Sequence, residues 1–305
     1  MNYRSSVIFR ILKKIRLGYL RILGTINPIL LAKVLYYKVH KTSMNLDNPK
    51  NLDEKINWMK FYSDTSPWSI LADKYKVRDF IISKGLSTTL NDIYGIWDNS
   101  DDIQFNLLPS SFVFKTTNGS SGVQVMIVKD KSSLDMDKTK KILNRWLKYN
   151  NPFFLAEPHY LKIKPQIIAE KLLIDSNNRS SLIDYKFHCF NGHVESILVC
   201  TDRIDGHAYK AIYTLDWEIL PNALRNTKIM NISIARPKSL DLMIEYSQIL
   251  SKGFPYVRVD WYEINNNPVF SELTFTPAGG YNTTMNIEYL NYLGSLLELP
   301  VKINS

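Results

Sequence analysis

The chain has 305 residues, 45% of them hydrophobic and 22% charged, which excludes wholesale disorder and a multi-span membrane protein. Lysine and arginine number 38 against 29 acids, but nine of the basic residues (Arg4, Arg10, Lys13, Lys14, Arg16, Arg21, Lys33, Lys38, Lys41) fall in residues 1–42, which contain no acid. The remaining 263 residues balance 29 basic against 29 acidic, and a neutral body excludes nucleic acid as a partner.

A helical wheel over residues 7–23 puts Ile8, Ile11, Leu12, Ile15, Tyr19, Ile22 and Leu23 on one face, with Arg10, Lys13, Lys14 and Arg21 on the other. No run of eighteen uncharged apolar residues occurs, so a spanning helix is not expected, and the recurring charges fit a signal peptide badly. A basic amphipathic helix suits an anionic membrane surface, here through residues 1–26. The alternative is a helix that packs its apolar face on the body. A second apolar segment, Pro28–Tyr37, is expected beside it.

In the body, Asn48-Pro49-Lys50-Asn51 breaks the chain and Asp53 is expected to cap a helix over 54–62. A helix over 69–84 ends at Gly85. Strands over 112–117 and 123–128 flank the loop Asn118-Gly119-Ser120-Ser121-Gly122, followed by a helix around 138–149 and a strand through 167–170. Asn191-Gly192 signals a hairpin between 184–190 and 194–200. Ser239 is expected to cap a helix ending at Gly253. A last hairpin joins 256–264 to 268–275. Alternating hairpins and helices give an α+β class with mainly antiparallel sheets.

The chemistry concentrates in three pieces. If Ile264 opposes Pro268 across a three-residue loop, Asp260 faces Glu272 and Arg258 faces Thr274. Two carboxylates so placed, about 5 Å apart at Cβ, repel; a shared proton, Arg258 or a divalent cation must offset that. Magnesium bound to nucleotide phosphates suits such a pair; a solvent-facing sheet edge is the plain alternative. Neutralising either carboxylate is therefore expected to leave the fold as stable or more so. Lys115 next to the Ser/Gly loop could neutralise phosphates that the loop covers, or the loop is an ordinary hairpin turn; Lys186 shares a strand face with Asp184 and His188 and points into a cleft or merely snorkels. No nucleophile elbow or metal-spaced histidine set is present. Cys189 and Cys200, the only cysteines, make no disulfide scaffold, and a cytoplasmic setting is expected.

Taken in order, these segments resemble the ATP-grasp superfamily. Phe112-Val-Phe-Lys-Thr-Thr-Asn-Gly-Ser-Ser-Gly-Val123 is similar to its lysine strand and phosphate loop, Ile168-Ala-Glu-Lys-Leu-Leu173 to its adenine hinge, and Arg258-Val-Asp260 with Glu272-Leu-Thr-Phe-Thr-Pro-Ala-Gly-Gly280 to its metal hairpin. Closer still is the teichuronopeptide-biosynthesis (TupA-like) branch of bacterial polysaccharide clusters. Its features appear as Asn51-Leu-Asp-Glu-Lys-Ile-Asn-Trp58, Asp73-Lys-Tyr-Lys-Val-Arg78, Asp184-Tyr-Lys-Phe-His-Cys-Phe-Asn-Gly192 and Ser271-Glu-Leu-Thr-Phe-Thr-Pro277.

The resemblance implies an ATP-grasp fold: two antiparallel-sheet subdomains clasping a nucleotide, with a helical N-terminal part. Its boundaries would be an arm over 1–42, a substrate part over 43–110, a central subdomain over 111–172 and a C-terminal subdomain over 173–305. It implies ATP and Mg2+ as cofactors, and a carboxylate and an amine joined through an acyl phosphate. Lys115 would hold phosphates beneath Gly119, Ser120, Ser121 and Gly122. Glu170, Lys171 and Leu173 would meet adenine, Asp184 the ribose, and Lys186 or Lys171 further phosphate oxygens. Asp260, Glu272 and Thr274 would ligate magnesium, with Arg258, Lys186 and Arg203 as catalytic cations. The superfamily usually has asparagine where Thr274 stands; a threonine hydroxyl is a weaker oxygen ligand, which leaves the number of magnesium ions open between one and two. Asp73, Lys74 and Arg78 would sit where substrate enters, with helix-surface salt bridging as the equal alternative. A polysaccharide glycosyltransferase is the rival reading, but the only Asp-x-Asp, Asp135-Met-Asp137, precedes a lysine-rich helix and looks like a cap. A place on the inner face of the bacterial membrane is expected.

Overall fold

The computed structural model describes residues 18–119, 124–148, 152–174, 182–204, 207–225 and 234–303. The arm expected over residues 7–23 thus lies mostly outside the described residues, as do Ser120, Ser121 and Gly122. Two sheets dominate, and every named pairing in them is antiparallel. The smaller has the order β1-β4-β2-β3, from β1 (Ile93–Trp97), β2 (Phe112–Thr116), β3 (Val125–Val128) and β4 (Ile167–Glu170). The larger runs β7-β6-β5-β8-β9, from β5 (Asp184–Phe190), β6 (His193–Ile204), β7 (His207–Tyr213), β8 (Val257–Ile264) and β9 (Asn267–Thr274). Each sheet has its own buried cluster, one around Phe112, Phe114, Leu143 and Ile167, the other around Phe187, Val259, Trp261 and Leu290.

Helices cover the sheets. At the N-terminal side lie α1 (residues 18–26), α2 (Pro28–His40), α3 (Leu52–Tyr62), α4 (Ser66–Leu71) and α5 (Val77–Ser83). Further along come α6 (Met136–Leu147), α7 (Pro152–Leu155), α8 (Pro158–Leu161), α9 (Leu240–Ser251) and α10 (Ile287–Leu296). Among the described residues no helix is long and apolar enough to cross a membrane. Cys189 and Cys200 are buried free thiols.

Four expectations are corrected. The cap of α3 is Asn51, whose side chain and that of Glu54 form a reciprocal capping box; Asp53 instead accepts from His40 Nε2 at 2.8 Å and from the Asn282 backbone at 2.6 Å. The helix expected over 69–84 is two helices, because the Asp73 carboxylate accepts from the Tyr75 and Lys76 amides and turns the chain. Ser239 precedes α9, yet its hydroxyl donates to Glu263 rather than capping the helix. In the last hairpin Asn265 and Asn266 both have positive φ, 52° and 63°, so the turn has two residues, not three, and Ile264 pairs with Asn267. An irregularity between Asp260 and Trp261 takes up the one-residue slip, and Asp260 still faces Glu272 while Arg258 faces Thr274.

Candidate active site

Three strands of the large sheet set the charged face. Side chains repeat every second residue, and the register aligns Lys186, Asp260 and Glu272 in one row and His188, Arg258 and Thr274 in the next. Asp260 is fully buried. Its Oδ1 accepts from Arg258 Nε at 2.6 Å, and its Oδ2 accepts from both Arg258 Nη2 and Lys186 Nζ at 2.6 Å. Lys186 also lies 3.5 Å from Asp184. Glu272 is the more open carboxylate, its side chain 31% exposed, with Lys74 Nζ at 3.2 Å and Arg258 Nη2 at 3.4 Å. The Thr274 hydroxyl donates to Glu272 at 3.1 Å and accepts from Arg258 at 3.2 Å. The carboxylates therefore do not rely on a shared proton. Burial pushes the Glu272 carboxyl up, but Lys74, Lys186 and Arg258 outweigh it and hold it well below the usual range.

Lys74 was legible in the sequence only as a residue near the substrate entrance. The turn at Asp73 aims it into this cluster, where its ammonium also donates to the Gly119 carbonyl at 2.6 Å. It thereby ties the phosphate-loop candidate to the metal-hairpin candidate. Gly119 sits tightly: a Cβ there would lie 2.9 Å from Thr116 Oγ1 and 3.1 Å from the Thr116 carbonyl.

Across the cleft, Lys115 and Glu170 are diagonal neighbours on β2 and β4, paired at 2.6 Å. Burial disfavours the Lys115 charge, yet Glu170 beside it leaves the ammonium more basic than usual. The cleft between the sheets is lined by Lys115, Glu170 and Leu173 on one side, by Tyr262 and Phe270 on the other, and by Lys74 and Arg78 at one end. Leu173 and Arg78 thus join Lys115 and Glu170. Lys171 does not: its ammonium is exposed and pairs with Asp92 at 3.1 Å, its amide donates to the Asp92 carbonyl, and its carbonyl accepts from Asn91. A phosphate role for Lys171 is corrected on that geometry. Arg203 belongs to β6, with its side chain outside the described residues.

Beyond Thr274 the same strand direction leads to a second polar group, which sequence patterning did not reveal. Thr276 donates to Glu157 at 2.5 Å. Lys60 on α3 donates to the Gly279 carbonyl at 2.8 Å, and Asn57 to that of Gly280 at 2.8 Å. Burial lowers Lys60 to about 7 against the pull of Glu157 and Asp53, and burial raises Glu157. Tyr160 lies within the field of both Glu157 and Glu272; burial first, then these charges, raises its phenol well above the usual value. His159 and His188 are buried and lowered to about 3 by burial, with nearby cations adding to the effect. His188 Nδ1 meets Tyr256 at 2.8 Å, whereas neither ring nitrogen of His159 has a partner.

For magnesium the donor set is one open carboxylate and one buried one, all oxygen and hard, which matches an ion that takes one or two carboxylates and completes its shell with phosphate and water. Glu272 fits as the accessible ligand. Asp260 would join only as Lys186 and Arg258 turn toward phosphate, and Thr274 has its hydroxyl committed to Glu272 and Arg258. Among the described residues no group of three or more histidine, cysteine or acidic side chains forms a metal cluster.

The TupA-like ATPgrasp family model matches residues 54–298. The chain belongs to the TupA-like ATP-grasp family. ATP-grasp ligases form C–N bonds with ATP and Mg2+. No curated protein matches the sequence. Among solved structures the chain is similar to D-alanine–D-alanine ligase from Helicobacter pylori, at 13% identity over 83% of this chain and 68% of that one, TM-score 0.44. It is also similar to an L-amino acid ligase from Bacillus licheniformis, at 13% identity over 83% of this chain and 56% of that one, TM-score 0.47. A third is the D-alanine–D-alanine ligase from Bacillus anthracis, at 16% identity over 77% and 69% of the two chains, TM-score 0.42.

The rival glycosyltransferase motif is accounted for structurally. Asp135 caps α6, its carboxylate accepting from the Lys138 amide at 2.9 Å.

Proposed function

We propose that this TupA-like ATP-grasp protein joins a carboxylate, such as a uronic acid of a cell-surface glycan, to an amine during bacterial polysaccharide biosynthesis, at the inner face of the membrane. The observation that carries the ligase reading is the convergence of Lys74, Lys186 and Arg258 on Asp260 and Glu272, facing a cleft whose other wall holds Lys115. Four cations around a cleft suit phosphoryl transfer, where positioning and charge neutralisation supply most of the catalysis.

In this reading Lys115 exchanges Glu170 for phosphate oxygens, which frees the Glu170 carboxylate to accept from the adenine amino group. Leu173, Tyr262 and Phe270 supply the apolar walls for the base, and Asp184 the ribose contact. Glu272 with Asp260 would hold Mg2+, which when bound neutralises charge on the phosphates. Arg258, released from Asp260 as it turns toward phosphate, would keep Nη2 near Glu272 and Thr274 and stabilise charge that grows as the substrate carboxylate attacks the γ-phosphate. The acyl phosphate so formed is intercepted by the amine, releasing phosphate. Gly119, whose carbonyl accepts from Lys74, would face the phosphates.

The test is incubation with ATP, Mg2+ and panels of uronic acids and amines, reading ADP release and new amide masses. Carboxylate- and amine-dependent ADP release supports the ligase; release of a nucleoside diphosphate from nucleotide sugars without ATP would replace it with the glycosyltransferase.

A further inference from the structure

α1 and α2 carry an apolar stripe that the body leaves uncovered. Tyr19, Ile22 and Ile26 are 59%, 60% and 77% exposed, and Leu30, Val34 and Tyr37 are 45%, 43% and 57% exposed. The two helices also rest on a single cluster, through Leu20 and Leu23 from α1 and Leu31, Ala32, Leu35 and Tyr36 from α2. At 100° per residue Leu30, Val34 and Tyr37 fall within about 60° of one another on α2, with Lys33 on one flank and Lys38 on the other. Both lysines are exposed, and long lysine stems beside an apolar strip can lay their methylenes on it while the ammonium reaches outward.

We propose that this α1–α2 face docks on an anionic lipid bilayer and sets the orientation of the catalytic cleft toward it. The inference rests on the membrane location proposed above and replaces its surface. The wheel over 7–23 grouped Leu23 with Tyr19 and Ile22, whereas Leu23 packs inward and the outward stripe continues onto α2. Charge decides the occupant. Residues 1–46 contain no acid, so a second copy of this face would set Lys33 and Lys38 against their own kind. Residues 1–17 bring five more basic groups and no acid, and would cover the stripe only at the same cost. An anionic leaflet complements every one of these charges.

The face is also fixed to the catalytic side. Its supporting cluster includes Tyr281 and Leu155, which flank the turn at Gly279 and Gly280. At the end of α2, His40 Nε2 donates to Asp53, which also holds the Asn282 amide, and His40 Nδ1 accepts from Arg225 at 2.9 Å. The tautomer follows from its partners, since arginine only donates and a carboxylate only accepts. Arg225 in turn donates to the Val39 and Met285 carbonyls. Docking through α2 would therefore orient the loop that follows the metal-hairpin candidate, not merely tether the chain.

The experiment is co-sedimentation of the full chain with phosphatidylcholine vesicles, with and without one quarter phosphatidylglycerol, at low and high salt. Two variants accompany it: Ile26→Ser with Val34→Ser and Tyr37→Ser, and Lys33→Glu with Lys38→Glu. All five positions are exposed, and thermal melts verify the fold. The expected result is binding only to the anionic vesicles, weakened by salt, and reduced at least tenfold in both variants. Variants that bind like the parent place the attachment in residues 1–17 and overturn the proposal. So does a parent that binds no vesicles, whether because deleting residues 1–17 exposes binding or because sedimentation velocity shows a dimer that the serine variant disrupts. ADP release on a soluble substrate is read in the same preparations, so failure of docking and failure of the ligase reading are seen separately.

Discussion

Neutralising Asp260 and neutralising Glu272 are expected to have unequal effects on stability. Repulsion between facing carboxylates alone would make both changes neutral or stabilising. The structure adds what that argument lacked: each oxygen of the fully buried Asp260 accepts from a cation at 2.6 Å. Asp260→Asn keeps the volume but leaves Lys186 and Arg258 buried beside an amide, and breaking a buried ion pair from one side costs about 3–5 kcal/mol. Glu272 is partly solvated and its cations lie at 3.2 and 3.4 Å, so Glu272→Gln should cost about 1 kcal/mol or less. For a chain of this length the difference corresponds to a melting temperature lower by roughly 3–8 °C in Asp260→Asn than in Glu272→Gln. The assay is thermal and urea unfolding without nucleotide, in EDTA, so that metal binding does not contribute. Asp260→Asn as stable as Glu272→Gln, or more so, would refute the cation clamp. ADP formation should be lost in both variants.

Lys115→Met should abolish most of the ATP-induced rise in melting temperature, which follows from mass action on the folded state; an undiminished rise would return Lys115 to an ordinary strand lysine. Gly119→Ala should weaken the same ATP response while changing nucleotide-free stability little, because the new methyl displaces the loop from Thr116; an unchanged ATP titration would contradict a phosphate-covering role. His159 and His188, both lowered to about 3, are neutral in the fold and protonate near 6.5 when unfolded. Their contribution is thus present above pH 6.5 and lost as pH falls toward 3, by about 2 kcal/mol each between pH 7 and 5. His159→Phe, at a site where neither ring nitrogen has a partner, should recover about half of that loss in urea titrations; identical pH slopes for parent and variant would contradict it.

Strand alternation was enough to place Arg258, Asp260, Glu272 and Thr274 on one face, because any even shift of register preserves that grouping. The pairing itself emerged although the loop length was misjudged, since a two-residue Asn265-Asn266 turn and a compensating irregularity before Trp261 cancel. Lys74 was harder to read. Its role depends on the local competition of the Asp73 carboxylate with helix propagation, and an apolar periodicity that runs through 69–84 hides that break. The Lys60–Glu157–Thr276 group was invisible because it joins α3, the start of α8 and the turn after β9 through tertiary contact alone. Lys171 shows the reverse: the motif puts it beside Glu170, but alternation and Asp92 turn it outward.

The central claim is that a substrate carboxylate is activated by phosphoryl transfer from ATP. The direct measurement uses a carboxylate substrate labelled with oxygen-18, incubated with ATP, Mg2+ and the amine, and follows the label by mass spectrometry. An acyl phosphate intermediate predicts ADP as the nucleotide product and one labelled oxygen in the released phosphate for each amide formed. Unlabelled phosphate, or AMP and pyrophosphate as products, would contradict the account.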